Sequence, residues 1–226
     1  MRLFGPLHLA LLAAIVAVAA GLSILCRRRP GTARALRLAL GWGLMGNELV
    51  WWVFRYSHEG VHLWNLPLQL CDLTVWLSVL ACLTAIPRVV EFAYFAGLAG
   101  AGMALLTPDL WSPWPSYPAI YFFVAHGGIV TAVAVVVFGG ICPLRAGAVG
   151  RAYRLLLCWA AAAGAFNLLA GTNYMYLRRT PSSASALDML GPWPVYLLSG
   201  AVVALALFWL LWLPARAARR HASRPQ

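Results

Sequence analysis

Acidic side chains number only six in this chain, and lysine is absent, so each of its 17 Lys-or-Arg positions is arginine. Charged residues make up 10% of the sequence against 62% hydrophobic. That ratio leaves too little polar surface to clothe a soluble domain of 226 residues. Cysteine is scarce and scattered at Cys26, Cys71, Cys82, Cys142 and Cys158, with no C-x-x-C pair. This spacing is not that of a metal site, and positions mid-helix (Cys82, Cys158) or at cytoplasmic ends (Cys26, Cys142) argue against a disulfide framework. No phosphate loop or dinucleotide fingerprint occurs, and nothing in the sequence requires a metal or organic cofactor.

Long apolar runs are abundant. A spanning helix needs roughly 20 mostly apolar residues, and seven stretches supply them, at 5–25, 36–54, 66–86, 90–107, 118–138, 152–171 and 192–213. The longest remaining connection, Thr172 to Gly191, is too small for a soluble domain. Residues 1–226 therefore read as a single integral membrane domain, an all-α polytopic bundle of seven transmembrane helices. Ala17-Val18-Ala19 resembles a signal cleavage site, yet its apolar run is too long for one and ends in Arg27-Arg28-Arg29. The first span reads as a retained anchor.

The arginines segregate. The connections after spans one, three and five and the C-terminal tail hold Arg27, Arg28, Arg29, Arg34, Arg37, Arg88, Arg145, Arg151, Arg154, Arg216, Arg219, Arg220 and Arg224. The other side holds Arg2, Arg55, Arg178 and Arg179. By the positive-inside rule the N-terminus lies outside and the C-terminus inside, as in a multi-pass protein of the cell (plasma) membrane. The charge of +11 then serves topology and anionic lipid; it does not bind nucleic acid.

With this topology the polar residues gather in one layer, the outer third of the membrane. Span two brings Asn47 and Glu48, about two turns below the surface, and span three brings Gln69, Cys71 and Asp72 from a start at Pro67. Span five places His126 about 12 Å down from Pro118. Asn167 and Asn173 bracket the end of span six, and Asp188 precedes span seven. Intramembrane ionisable groups normally face a bundle interior or a wet cavity, so Glu48, Asp72 and His126 at one depth predict a cavity open to the outer leaflet. Pro113-Trp114-Pro115-Ser116-Tyr117 and Pro192-Trp193-Pro194-Val195-Tyr196 repeat one phrase at the starts of spans five and seven. They predict helix N-termini turned to the outer face, where an oxyanion or phosphate is favoured, within a Trp/Tyr belt. Ala93, Gly97 and Ala101, with Ala96, Gly100 and Ala104, form two ladders of small residues on span four, a scaffolding pattern.

The blocks LPLQLCDLTVWLSVL, FAGLAGAGMALLTPDLWSPWPS, FFVAHGGIV, NYMYLRRTP and LDMLGPWPVYLLSG, in this order between Leu66 and Gly200, resemble the YwaF-like bacterial integral membrane family, relatives of transmembrane protein 164. The resemblance implies lipid acyl chemistry, because the animal relative is described as a phospholipid acyltransferase using a cysteine and a histidine. By motif these match Cys71 and His126. Many members have His two positions before that cysteine; this chain has Gln69, which does not carry over a second acid–base role.

The pair is chemically sensible. A thiol is a better nucleophile once a neighbouring base takes its proton, and His126 is the candidate base. Cys71 falls in the second turn of span three, where the helix dipole helps weakly. Gly127 and Gly128 leave room beside the imidazole for span three or an acyl chain, and Glu48 or Asn167 are equally suited to orient His126. Asp72 is not, since adjacent helical residues diverge by about 100°. The expected activity is acyl transfer to, or ester hydrolysis of, a phospholipid or lysophospholipid through an acyl-cysteine. The alternative is a non-catalytic protein that binds lipid or a small solute, transports it, or assists membrane assembly. Either way the partners are membrane lipids.

Overall fold

The computed structural model describes residues 1–110, 112–181 and 186–222; Ser183, expected on the outer side, and Arg224, in the basic tail, lie outside this set. Seven α-helices run through the described residues, with no strand among them: α1 (Pro6–Arg28), α2 (Pro30–Glu59), α3 (Leu70–Thr84), α4 (Pro87–Leu106), α5 (Tyr117–Phe138), α6 (Ala148–Ala170) and α7 (Val195–Ala222). Five of them, α1, α4, α5, α6 and α7, are long and apolar enough to cross a membrane. The other two fall short in different ways. Helix α2 carries Arg34, Arg37, Glu48, Arg55 and Glu59, and α3 has only 15 residues.

Proline sets the starts. Pro6, Pro30 and Pro87 open α1, α2 and α4, and Pro118 is the second residue of α5. At these positions the missing N–H has no helical acceptor to lose. Gly171 ends α6 with φ +70, the left-handed conformation that glycine adopts without a Cβ penalty.

Helices α4 and α5 form the centre. Helix α5 packs against α1, α2, α3, α4 and, more lightly, α7; α4 packs against α3, α5, α6 and α7. The small-residue ladders of α4 work as expected: Ala93, Ala96 and Ala101 are buried, and a Cβ on Gly97 would meet Ile129 Cγ2 of α5 at 2.9 Å. Helix α7 is held by Tyr94 O–H donating to the Leu211 carbonyl (2.9 Å), by Tyr153 O–H donating to the Ala201 carbonyl (3.0 Å) and by Phe95 stacked on Phe208.

Three boundaries differ from the sequence reading. Only Arg29 separates α1 from α2, so Arg27, Arg28, Arg34 and Arg37 are helical residues instead of loop residues. Two of these side chains find acceptors: Arg27 donates to the Phe138 carbonyl and Arg37 to the Cys82 carbonyl. Helix α3 starts at Leu70, not at Pro67, because Gln69 takes the cap position and its N–H donates to Asp72 Oδ2 at 3.0 Å. The two Pro-Trp-Pro phrases precede their helices, which start at Tyr117 and Val195. Each forms a turn with a cis Trp–Pro peptide, closed by Ser116 N–H on the Pro113 carbonyl and by Tyr196 N–H on the Pro192 carbonyl.

Candidate functional site

Because α3 starts late, Cys71 is its second residue and sits in the first turn, not the second. The helix dipole is strongest there. The thiol is partly buried and has Glu48 and Asp72 as acidic neighbours, with Tyr121 and Tyr176 within electrostatic range. Glu48 of α2 and Tyr121 of α5 meet at the α2–α5 seam. Asp72 itself closes the cap on Gln69.

Glu48 is fully buried in that seam. Trp52 Nε1–H donates to one of its oxygens and Tyr121 O–H to the other, both at 2.8 Å. The ring of Tyr121 is stacked on Trp51 with centroids 4.1 Å apart. Both Glu48 oxygens thus hold donors from the scaffold, and neither reaches His126. Asn47, next along α2, buries an amide Nδ2 with no acceptor. The hydroxyl of Tyr117, whose ring packs on Trp51 and Phe54, is likewise buried without a partner.

His126 is buried on α5, with Nδ1 2.7 Å from the Phe122 carbonyl and its ring against Phe122. A carbonyl only accepts, so Nδ1 carries the proton and Nε2 presents the lone pair of a neutral imidazole. Nε2 has no hydrogen-bond partner among the described residues. The orienting group is therefore a backbone carbonyl one turn away, and the assignment of that role to Glu48 or Asn167 is corrected. The space beside Gly127 and Gly128 is also taken. A Cβ on Gly127 would strike Ile15 of α1 at 2.9 Å, and one on Gly128 would press still closer on Leu44 of α2. These glycines admit α1 and α2, not α3 or an acyl chain.

Cys71 and His126 share a depth. Thr74 of α3 and Ile129 of α5 both approach Gly97 of α4, and each reactive residue stands three positions N-terminal to one of them on parallel helices. No hydrogen bond joins the two side chains; the imidazole is anchored on the Phe122 carbonyl of its own helix, while Glu48 and Tyr121 are electrostatic neighbours of the thiol.

The remaining polar residues build a clasp and do not line a common cavity. Asn167 is fully buried and binds Thr172 Oγ1, Tyr174 N and the Tyr174 carbonyl at 2.7–2.9 Å. Tyr174 O–H in turn donates to the Leu63 carbonyl at 2.8 Å and accepts from Leu66 N–H at 2.7 Å. Gln69 Oε1 accepts from Met175 N–H at 2.8 Å. These bonds tie the α6–α7 connection to the segment before α3. Asn173 bridges to Arg178 N and Arg179, Trp193 Nε1–H donates to the Leu177 carbonyl, and Asp188 is exposed in a short 3-10 turn.

Sequence reasoning passed over Tyr121, Tyr174 and Glu91. Glu91 is 2% exposed and accepts two forked pairs, from Arg145 at 2.9 and 3.3 Å and from Arg151 at 2.8 and 2.8 Å. A lone acid in the first turns of a helix at an arginine-rich end was the available signal. His58-Glu59-Gly60-Val61-His62 has the H-E-x-x-H spacing of a zinc helix. Here Gly60 ends α2, and His58 Nδ1 and His62 Nε2 bind the carbonyls of Phe54 and Glu59. Among the described residues no three His, Cys, Asp or Glu side chains gather as metal ligands would.

Neither the curated proteins nor the solved structures contain a match to this chain. A protein-family model does match, over residues 3–212, nearly the whole chain and all the elements that carry Cys71, His126 and the clasp. The chain belongs to the TMEM164 family.

Proposed function

We propose that this protein is a seven-span enzyme of the cell membrane, N-terminus outside, that transfers or hydrolyses a fatty acyl ester of a phospholipid or lysophospholipid through Cys71. The sequence blocks favour a YwaF-like bacterial branch of the family. The observation that carries the reading is the tautomer of His126: a buried imidazole with Nδ1 anchored and Nε2 free is prepared to accept one proton. Cys71, at the same depth and in the first turn of α3, supplies a free, partly buried thiol.

Cys71 Sγ attacks the ester carbonyl while Nε2 takes the thiol proton, directly or through one water, since pairs without substrate are often open. Collapse breaks the ester C–O bond, the proton passes to the leaving alcohol, and the acyl group remains as a thioester. A lysolipid hydroxyl or water then attacks, giving its proton to Nε2, and the thiol is restored. The Asn47 amide, a buried donor lacking an acceptor next to Glu48, is the group offered to the oxyanion.

Incubation of the purified protein with phospholipid, followed by intact-mass and peptide mass spectrometry, should find a hydroxylamine-sensitive acyl adduct on Cys71. Cys71→Ser should insert and fold yet lose turnover, while Cys82→Ser and Cys158→Ser retain it. Lipid binding without chemistry is the second reading, favoured by the missing Cys71–His126 hydrogen bond. Full activity in Cys71→Ser, or lipid retained with no adduct, selects it.

A further inference from the structure

Away from Cys71, a groove of about 400 Å³ runs between α3, α4 and α6. Its walls are apolar: Leu73 and Leu77 of α3, Phe92 of α4, Leu155 and Trp159 of α6. One charged side chain lines it, Arg88, at the basic end of the bundle. Leu73 lies two residues beyond Cys71, about 200° around α3, so the groove and the thiol occupy different faces of that helix. From Arg88 beside the α3–α4 turn to Leu73, eleven residues up α3 from Thr84, the groove extends about 16 Å. That is about half the ~30 Å hydrocarbon thickness of a bilayer, the depth of one leaflet.

The charge at its mouth is unbalanced. Of six acidic residues in the chain, Glu91 alone is at this end, one helical turn from Arg88. Arg145 and Arg151 engage both of its oxygens. Arg88 is exposed and makes no ion pair among the described residues. Three guanidinium groups against one carboxylate leave two positive charges in excess where an apolar, chain-length groove opens. Basic pockets between membrane helices suit anionic headgroups.

We propose that this groove is a second lipid site, holding one acyl chain of an anionic phospholipid whose phosphate rests on Arg88. The site is independent of the Cys71 chemistry, and its test reads lipid retention, not turnover. The full chain in mild detergent, supplied with equal phosphatidylglycerol and phosphatidylcholine, is examined by native mass spectrometry. One retained lipid with a preference for phosphatidylglycerol is expected. Arg88→Gln should lower that preference about fivefold, the weight of one arginine near a lipid headgroup. Arg154→Gln, outside the groove lining, should not.

Filling the groove with Ala162→Trp should expel the retained lipid of either headgroup. Should that variant misfold, alkylation of the exposed Cys158 with a bulky maleimide on folded Cys71→Ser protein makes the same block, with Cys71→Ser/Cys158→Ala as the unreactive control. Equal retention of both lipids by the wild type, an unchanged preference in Arg88→Gln, an equal fall in Arg154→Gln, or full occupancy after blocking overturns the proposal.

Discussion

Two buried histidines of this protein differ by the use of one ring nitrogen. His8 accepts the Phe4 N–H at Nδ1 (3.0 Å) and donates from Nε2 to the Leu105 carbonyl (2.8 Å), so both nitrogens hold the fold. His126 commits only Nδ1. His126→Gln should therefore lower turnover by about 10² or more, the usual worth of a general base, with thermal unfolding in detergent little changed. His8→Ala should do the reverse, costing about 1–3 kcal/mol of stability by leaving buried backbone groups unpaired and sparing the chemistry. Loss of turnover from His8→Ala at full stability would break the distinction. Glu48 belongs with His8. Glu48→Ala strands the Tyr121 hydroxyl and the Trp52 indole N–H, each about 1–3 kcal/mol. Glu48→Gln keeps an acceptor and should unfold closer to the wild type in the same melt.

At the scale of elements, helix order and number were legible because each apolar run is bounded by proline, glycine or arginine. The ends were less so. Nothing in LPLQLCD states that Gln69 takes the cap and leaves Pro67 outside; that depends on Asp72 closing on Gln69 N–H and on Met175 N–H meeting Gln69 Oε1 from 106 residues away. The polar layer was legible as a layer, since buried polar groups must be paired. Its division was not. Whether Asn167 faces a cavity or clasps Tyr174 depends on the path of a loop that periodicity does not encode. The small-residue ladder was read correctly because close helix approach needs small side chains at fixed spacing. Gly97→Ala should thus cost about 1–3 kcal/mol by overpacking, since its new methyl meets the stiff β-branched Ile129 at 2.9 Å. Gly102→Ala, with nothing within 4 Å, should be neutral in the same thermal assay. Equal effects would mean that α4 and α5 do not meet at Gly97.

For the whole molecule the open matter is how the two less apolar helices sit in a bilayer. Helix α3 has 15 residues, about 22 Å, short of the ~30 Å core. Non-helical backbone is tolerated at membrane depth only where protein satisfies it, and the segment before α3 meets that condition. Asn65 is buried and binds His62 N–H and the Gly60 carbonyl at 2.9 Å, while Tyr174 serves Leu63 and Leu66. Helix α2 puts Glu48 inward against Tyr121 and pairs Arg55 with Glu59 near its end (3.1 Å). Both helices are thus able to cross as parts of a bundle, though neither would do so alone. The proposed seven crossings would place the α6–α7 connection and the end of α7 on opposite sides, and the positive-inside rule would make the arginine-rich side cytoplasmic. In a variant whose native cysteines are replaced, Arg178→Cys should react with a membrane-impermeant maleimide on intact cells. Ala217→Cys should react only after permeabilisation. Labelling of both on intact cells, or of neither, would mean that α7 does not cross. The reverse pattern, with Ala217→Cys labelled on intact cells and Arg178→Cys only after permeabilisation, would mean that one of α2 and α3 fails to cross. With α2 the helix that fails, the proposed acyl chemistry at Cys71 would have to be assigned to the other leaflet.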